Sequence, residues 1–110
     1  MANTFKNASA INVSNSGSYG TAVVTGASST QTLLHAVYIT NKSANSVTYD
    51  AWIYDSSGTS YVMISNDVSV PSQSTLILDK PLNLEASDVF YVKASAATAI
   101  DVFVSILAIT

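Results

Sequence analysis

Apolar residues recur at every second position in short runs along this chain, and small polar residues break the runs at about 8–12-residue intervals. A strand alternates its side chains between two faces, so this pattern reads as half-buried β-structure. The clearest run is the segment from Ile100 to Thr110. Ile100, Val102, Val104, Ile106 and Ala108 line one side of it. Asp101, Phe103, Ser105, Leu107 and Ile109 line the other, which is polar at one end and apolar at the other. Such a segment needs a second sheet, or a second subunit, to cover it.

The remaining runs follow in order. Ala10 to Val13 reads as a short first strand or part of an extended arm, and Tyr19 to Thr25 as a strand after Gly17 and Gly20. Thr32 to Asn41 is a strong strand with Leu33, His35, Val37 and Ile39 on one face. Val47 to Asp55 returns after a polar turn, with Val47, Tyr49, Ala51 and Ile53 on one side. These two are expected to pair as an antiparallel hairpin. Ser60 to Ser65, Val68 to Val70, Thr75 to Leu78, Leu82 to Leu84 and Val89 to Ala94 complete the set, with Pro71 stopping or bending the chain because it cannot donate to a ladder. No stretch keeps a helical period. The expectation is an all-β, single-domain antiparallel β-sandwich of about eight strands, jelly-roll-like or Ig-like. Residues 1–18 are expected as an N-terminal arm or first short strand, and residues 19–110 as the sandwich.

Composition narrows the partners. Charged residues make up 10% of the chain, there is no cysteine, and the basic residues are four scattered lysines. With a net charge of −3 this excludes the cation cluster that nucleic acid requires. No signal-peptide pattern opens the chain, and its longest apolar run is far short of a membrane-spanning helix. Synthesis in the cytoplasm without a signal peptide, and no membrane partner, are the expectations. A surface solvated by Ser, Thr and Asn carries little repulsion between copies. A homo-oligomer is therefore expected, with a trimer favoured.

Candidate chemistry is sparse. His35 is the only histidine and shares its expected face with Leu33 and Val37. No nucleophile motif accompanies it, so it reads as a core residue. Asp55-Ser56-Ser57-Gly58 resembles the start of a calcium loop but lacks the repeated acidic positions and closing glutamate. Asp55 and Asp88 read as turn aspartates. No catalytic residue, cofactor or metal is expected. Tyr38, Trp52 and Tyr54 are expected together, opposite the apolar stripe of the hairpin. Tyrosine and tryptophan there suit either a protein interface or a sugar platform.

Two stretches resemble a known family. One is Met1-Ala2-Asn3-Thr4-Phe5-Lys6-Asn7. The other runs from Val70-Pro71-Ser72-Gln73-Ser74-Thr75-Leu76 through Leu82-Asn83-Leu84-Glu85-Ala86-Ser87-Asp88-Val89 and Val92-Lys93-Ala94-Ser95 to Asp101-Val102-Phe103-Val104-Ser105-Ile106-Leu107. Together they resemble small virion structural proteins of tailed bacteriophages, particularly those of cyanobacterial and marine hosts. In that family a proline-led turn, a short strand, a Leu-Glu-Ala-x-Asp turn and a terminal strand recur in this order. The family often has a Pro-Ala-Gly turn near the second strand, where Thr25-Gly26-Ala27-Ser28-Ser29 has no proline. The resemblance implies a capsid decoration (cement) protein, a neck component or a tail-associated protein, located in the virion and contacting major capsid or neck and tail proteins. Under it, Phe5 and Ile11 are expected as anchors of the arm. Tyr38, Trp52, Tyr54, Phe103, Leu107 and Ile109 are expected as further contact residues. A carbohydrate-binding adhesin module using an aromatic platform is the alternative.

Overall fold

The structure, a computed structural model, describes residues 2–110. Nine strands run through them: β1 (Asn3–Ala10), β2 (Thr21–Thr25), β3 (Gln31–Asn41), β4 (Val47–Asp55), β5 (Ser60–Val70), β6 (Ser74–Leu78), β7 (Leu82–Leu84), β8 (Val89–Ala94) and β9 (Ile100–Ile109). They form two antiparallel sheets. One, here the terminal sheet, has the order β1-β9-β3-β6, with β7 also paired to β3; the other, the aromatic sheet, has the order β2-β8-β4-β5. The first strand lies beside the last, the second beside the last but one, and β4 beside β5. The chain is thus one long hairpin, bent at the β4–β5 turn and wound so that successive pairs alternate between sheets. That winding is the jelly roll, one of the two sandwich types expected.

The core lies where the inward halves of the alternating patterns meet. β9 contributes Ile100, Val102, Val104 and Ile106, β3 contributes Leu34, Val37 and Ile39, and the facing sheet contributes Phe90, Val92, Tyr49 and Ala51. The Tyr49 phenol, buried with its ring, bonds the Ser65 hydroxyl at 3.0 Å. The stripe expected on β9 is the observed one: every second residue from Ile100 is buried.

Two expectations about β3 fail, each for a physical reason. It does not pair with β4. They lie in opposite sheets, joined by an arch over residues 42–46, and β3 pairs with β9, β6 and β7 instead. The arch is closed by Asn41, which is completely buried. Its amide donates to the carbonyls of Asn45, Val70 and Pro71 at 2.8, 3.0 and 3.2 Å, while its oxygen accepts from the Ser43 N–H and hydroxyl. One side chain thereby ties the β3–β4 arch to the start of the β5–β6 connection. Placed in opposite sheets, the two strands turn their buried faces toward the same core.

The face expected on β3 holds for Val37 and Ile39, which are buried together, but not for Leu33 and His35. An extra residue, His35, interrupts the register against β9, where Leu34 faces Ile106 but Ala36 faces Ser105. A bulge of this kind shifts every following residue to the opposite face. Leu34 is buried while Leu33 is only partly so, Val37 and Ile39 are buried, and His35 itself is exposed rather than a core residue. Elsewhere the differences are of position. The first strand starts at Asn3 and ends at Ala10, earlier than the Ala10–Val13 run suggested, and the two runs between Ser60 and Val70 join into the single strand β5.

Candidate assembly surfaces

Residues paired across a sheet share a face, so the register builds the outer surface of the terminal sheet row by row. One row runs Ser9, Phe103, Tyr38, Ile77, and another, four residues along β9, runs Phe5, Leu107, Leu33, Asn83. Between them lies a row of Asn7, Ser105 and Ala36, with the exposed bulge residue His35 beside Ala36. The surface is therefore two apolar ridges separated by a more polar row that His35 interrupts. Phe5, Phe103, Tyr38 and Ile77 are 84%, 46%, 37% and 50% exposed, and the Tyr38 and Phe103 rings stand 6.3 Å apart. Beyond the upper ridge a polar row closes the face: the Thr40 and Thr75 hydroxyls bond each other at 3.0 Å. Asp101, in the same row, pairs with the Lys42 ammonium at 2.9 Å. Burial opposes ionisation of Asp101, but the Asn12 N–H and Lys42 outweigh it and hold the carboxyl below its usual range.

The outer face of the aromatic sheet is different in kind. Trp52 pairs with Tyr91 and Met63, and Tyr54 pairs with Tyr61. Tyr19 arrives over them from the loop before β2. Gly20 makes that approach feasible, because it adopts a positive φ of 74° and lies so close to the Val92 carbonyl that a side chain would collide. Tyr19 stacks on Tyr61 with centroids 3.8 Å apart and planes 3° apart, and meets Trp52 edge-on at 5.3 Å. The rings spend much of their area on one another. Beside them on the same face is a groove of about 280 Å³ lined by Thr48, Asp50, Asp67 and Lys93, in which Asp50 accepts from the Asp67 N–H at 2.6 Å.

These positions redistribute the residues expected from sequence. Phe5, Tyr38, Phe103, Leu107 and Ile109 come together on the terminal sheet. Trp52 and Tyr54 face away from them on the other sheet, so the three-residue set with Tyr38 is divided. The hairpin that would have united them does not form. Ile11 is 74% exposed and falls just after β1, on neither face. Leu33 and Ile77 on one sheet and Tyr19, Tyr61 and Tyr91 on the other were missed. Leu33 was hidden by the His35 bulge. Tyr61 opens the unbroken apolar run Tyr61-Val62-Met63-Ile64, all of it exposed, where no alternation marks an outward face.

Among the described residues, one group of metal-ligating side chains gathers: Asp55, Glu85 and Asp88, with oxygens within 4.8 Å. Its buried member, Asp88, already accepts from the Ser56 N–H (2.9 Å), the Ser56 hydroxyl (2.8 Å) and the Glu85 N–H (2.9 Å). Asp55 accepts from the Ser57 hydroxyl at 2.8 Å. These bonds make the group a junction between turns, and His35 is not part of it.

No protein family and no curated protein matches the sequence.

Proposed function

We propose that this chain is a non-enzymatic structural component of a tailed-phage virion, which stabilises the capsid, or the neck and tail, through repeated protein contacts. The observation that carries the reading is the outer face of the terminal sheet: two apolar ridges, bordered by a polar row in which Asp101 pairs with Lys42. Monomeric proteins seldom leave a contiguous apolar patch of this kind bare. A lattice repeats one contact many times, so a small uncharged module gains affinity by number rather than by chemistry. The turn segments that resemble virion proteins support a place in the particle. Jelly rolls serve as capsid domains and as lectins alike, so the fold supports the reading without choosing it.

The test is direct. Antibody raised against the purified chain should label intact phage particles from the source culture in electron micrographs. Phe103→Asp protein should fail to rebind particles stripped of the native chain. Label confined to the unassembled fraction of the lysate would exclude the virion role.

A carbohydrate-binding module is the second reading, favoured by one observation: the Tyr19, Trp52, Tyr54, Tyr61 and Tyr91 cluster borders a groove whose Asp50 and Asp67 could accept sugar hydroxyls. On a glycan array, Trp52→Ala should then abolish binding while leaving the circular-dichroism spectrum unchanged. An unmodified chain that binds no glycan removes this reading.

A further inference from the structure

We propose that the opening between β1 and β2, at the opposite edge of the roll from β5, binds a small aliphatic carboxylate that carries a second oxygen, a hydroxy or keto acid. The site is independent of the assembly reading. It exists because inward positions there are small or polar where the alternation calls for large apolar ones. Residues paired across a sheet share a face. Thr4, Ala108 and Thr32 form one inward row, and Lys6 lies beside Ile106 in the next. Farther along, β9 fills the core with Ile100, Val102 and Val104. At Ala108 it leaves space, bounded across the gap by Val24 and its neighbours on the short, bulged β2. The result is a cavity of about 330 Å³, at the lower end of the range for small-molecule sites.

Polar side chains at core positions are unfavourable unless something uses them. An inward lysine blunts an edge strand against unwanted pairing, and that accounts for Lys6 alone. It does not account for Thr32, which lies on an interior strand between β9 and β7 and is only 6% exposed. The Thr32 hydroxyl has no hydrogen-bond partner among the described residues. No fully enclosed side-chain polar atom among them lacks one, so this hydroxyl opens onto the cavity. Buried hydroxyls are nearly always bonded, and this one is left for a partner that the chain does not supply.

The lining selects the chemistry of that partner. Among the described residues Lys6 is the one charged side chain in it, and Lys6 forms no ion pair. Glu85 belongs to a separate groove beyond Thr30 and Thr110. A single ammonium matches the single charge of a carboxylate, whereas a phosphate group brings up to two. No aromatic ring lines the cavity, so it lacks the stacking surface that favours sugars. Its walls at Val24 and Ile106 are aliphatic. A carboxylate held at Lys6 is four residues, roughly 14 Å, along the sheet from Thr110, clear of any carboxylate charge there. β1 and β3 stand two strands, roughly 10 Å, apart, a span that a six-carbon chain with a polar group at each end covers. The bound molecule sets its carboxylate on the Lys6 ammonium, its chain between Ile106 and Val24, and its second oxygen on the Thr32 hydroxyl.

Heteronuclear NMR of the isotope-labelled full chain, titrated with ω-hydroxyhexanoate, hexanoate, hexanol and hexylammonium, tests the site. Shifts should gather in β1, in β2 and around Thr32 and Ala108. The first probe should bind best, with a Kd of about 1 mM for so small a molecule. Hexanoate should bind about 5–10-fold more weakly for want of one hydrogen bond, and the neutral and cationic probes not at all. Lys6→Gln, at an exposed position, should weaken both carboxylates at least 10-fold. Thr32→Val nearly keeps the side chain's shape and should bring ω-hydroxyhexanoate down to the affinity of hexanoate, which a merely structural threonine would not do. Circular dichroism establishes that each variant folds. Shifts centred elsewhere, equal binding of hexanol or hexylammonium, or no response to either carboxylate at tens of millimolar would overturn the proposal. None of these outcomes touches the virion reading, because Lys6 and Thr32 point inward from the sheet whose outer ridges carry it.

Discussion

Asn41→Ala is expected to cost about 3–4 kcal/mol of stability, a large share of what a domain of this size possesses. The side chain makes five hydrogen bonds from a site with no solvent access. Each bond is worth about 1 kcal/mol net, and groups left buried without partners cost about 1–3 kcal/mol apiece. Alanine removes the partner of the Val70 carbonyl, which is buried, and of the Ser43 N–H. Water can reach some of the orphaned groups where the arch is exposed, which keeps the total below the full sum. The corresponding fall in melting temperature is roughly 10–20 °C. Asn41→Asp tests the same geometry more sharply. It keeps the shape and the acceptor for Ser43 but sets a carboxylate oxygen against three carbonyls, so it should destabilise at least as much. Urea denaturation of both variants checks the expectation. A loss under 1 kcal/mol in each would mean that the arch is held by its packing rather than by this side chain.

Asn41 also marks the limit of what the sequence could reveal. Alternation located the strands well, because each strand buries one face and exposes the other whatever its neighbours are. Val47, Tyr49 and Ala51 are buried as read, and so are the alternate residues of β9. Pairing is another matter. A short polar turn between two good strands reads as a hairpin, yet here it is an arch between sheets. The preference for the arch comes from long-range partners, β9 and β6 on one side and β8 on the other, which no local pattern encodes. The clue was Asn41 itself: an amide at the end of an apolar strand, with room to bond in several directions.

The same cause explains the division of the candidate surface. Tyr38, Trp52 and Tyr54 share a face only if their strands join as a hairpin; in the roll they point out of opposite sheets. One extra residue at His35 moved Leu33 from the expected core to the outer ridge beside Leu107. The outward residues of β9 needed no such correction, since Phe103, Leu107 and Ile109 follow from simple alternation along an uninterrupted strand. Local pattern found the surface wherever the strand was regular and lost it at the bulge and the arch.

Asp88 carries the other large expected effect, and it depends on pH. Its carboxylate gathers three donors from two turns, while its own carbonyl accepts from the Gly26 N–H at 2.8 Å and so holds the end of β2 as well. Burial works against ionisation of Asp88. The Ser56 N–H, the Glu85 N–H and the Ser56 hydroxyl outweigh it and hold the carboxyl below the ordinary carboxylate range. A carboxyl more acidic when folded than when unfolded stabilises the fold above its unfolded value, and that contribution is lost as pH falls through the folded one. Stability should therefore be full at neutral pH and decline under acid, with Asp101 adding a change of the same sign. Asp88→Ala should cost about 3 kcal/mol at pH 7, since it orphans the two N–H groups. Asp88→Asn is the more telling variant. Its oxygen can still accept from Ser56, but its amide hydrogens face the Glu85 N–H, donor against donor. It should lose about 2 kcal/mol at neutral pH, and the gap from the unmodified protein should close on acidification, where protonated Asp88 has little more to offer than asparagine. Denaturant titrations at a series of pH values measure both curves. A gap that stays constant into acid would show that the ionised form of Asp88 contributes nothing to the fold.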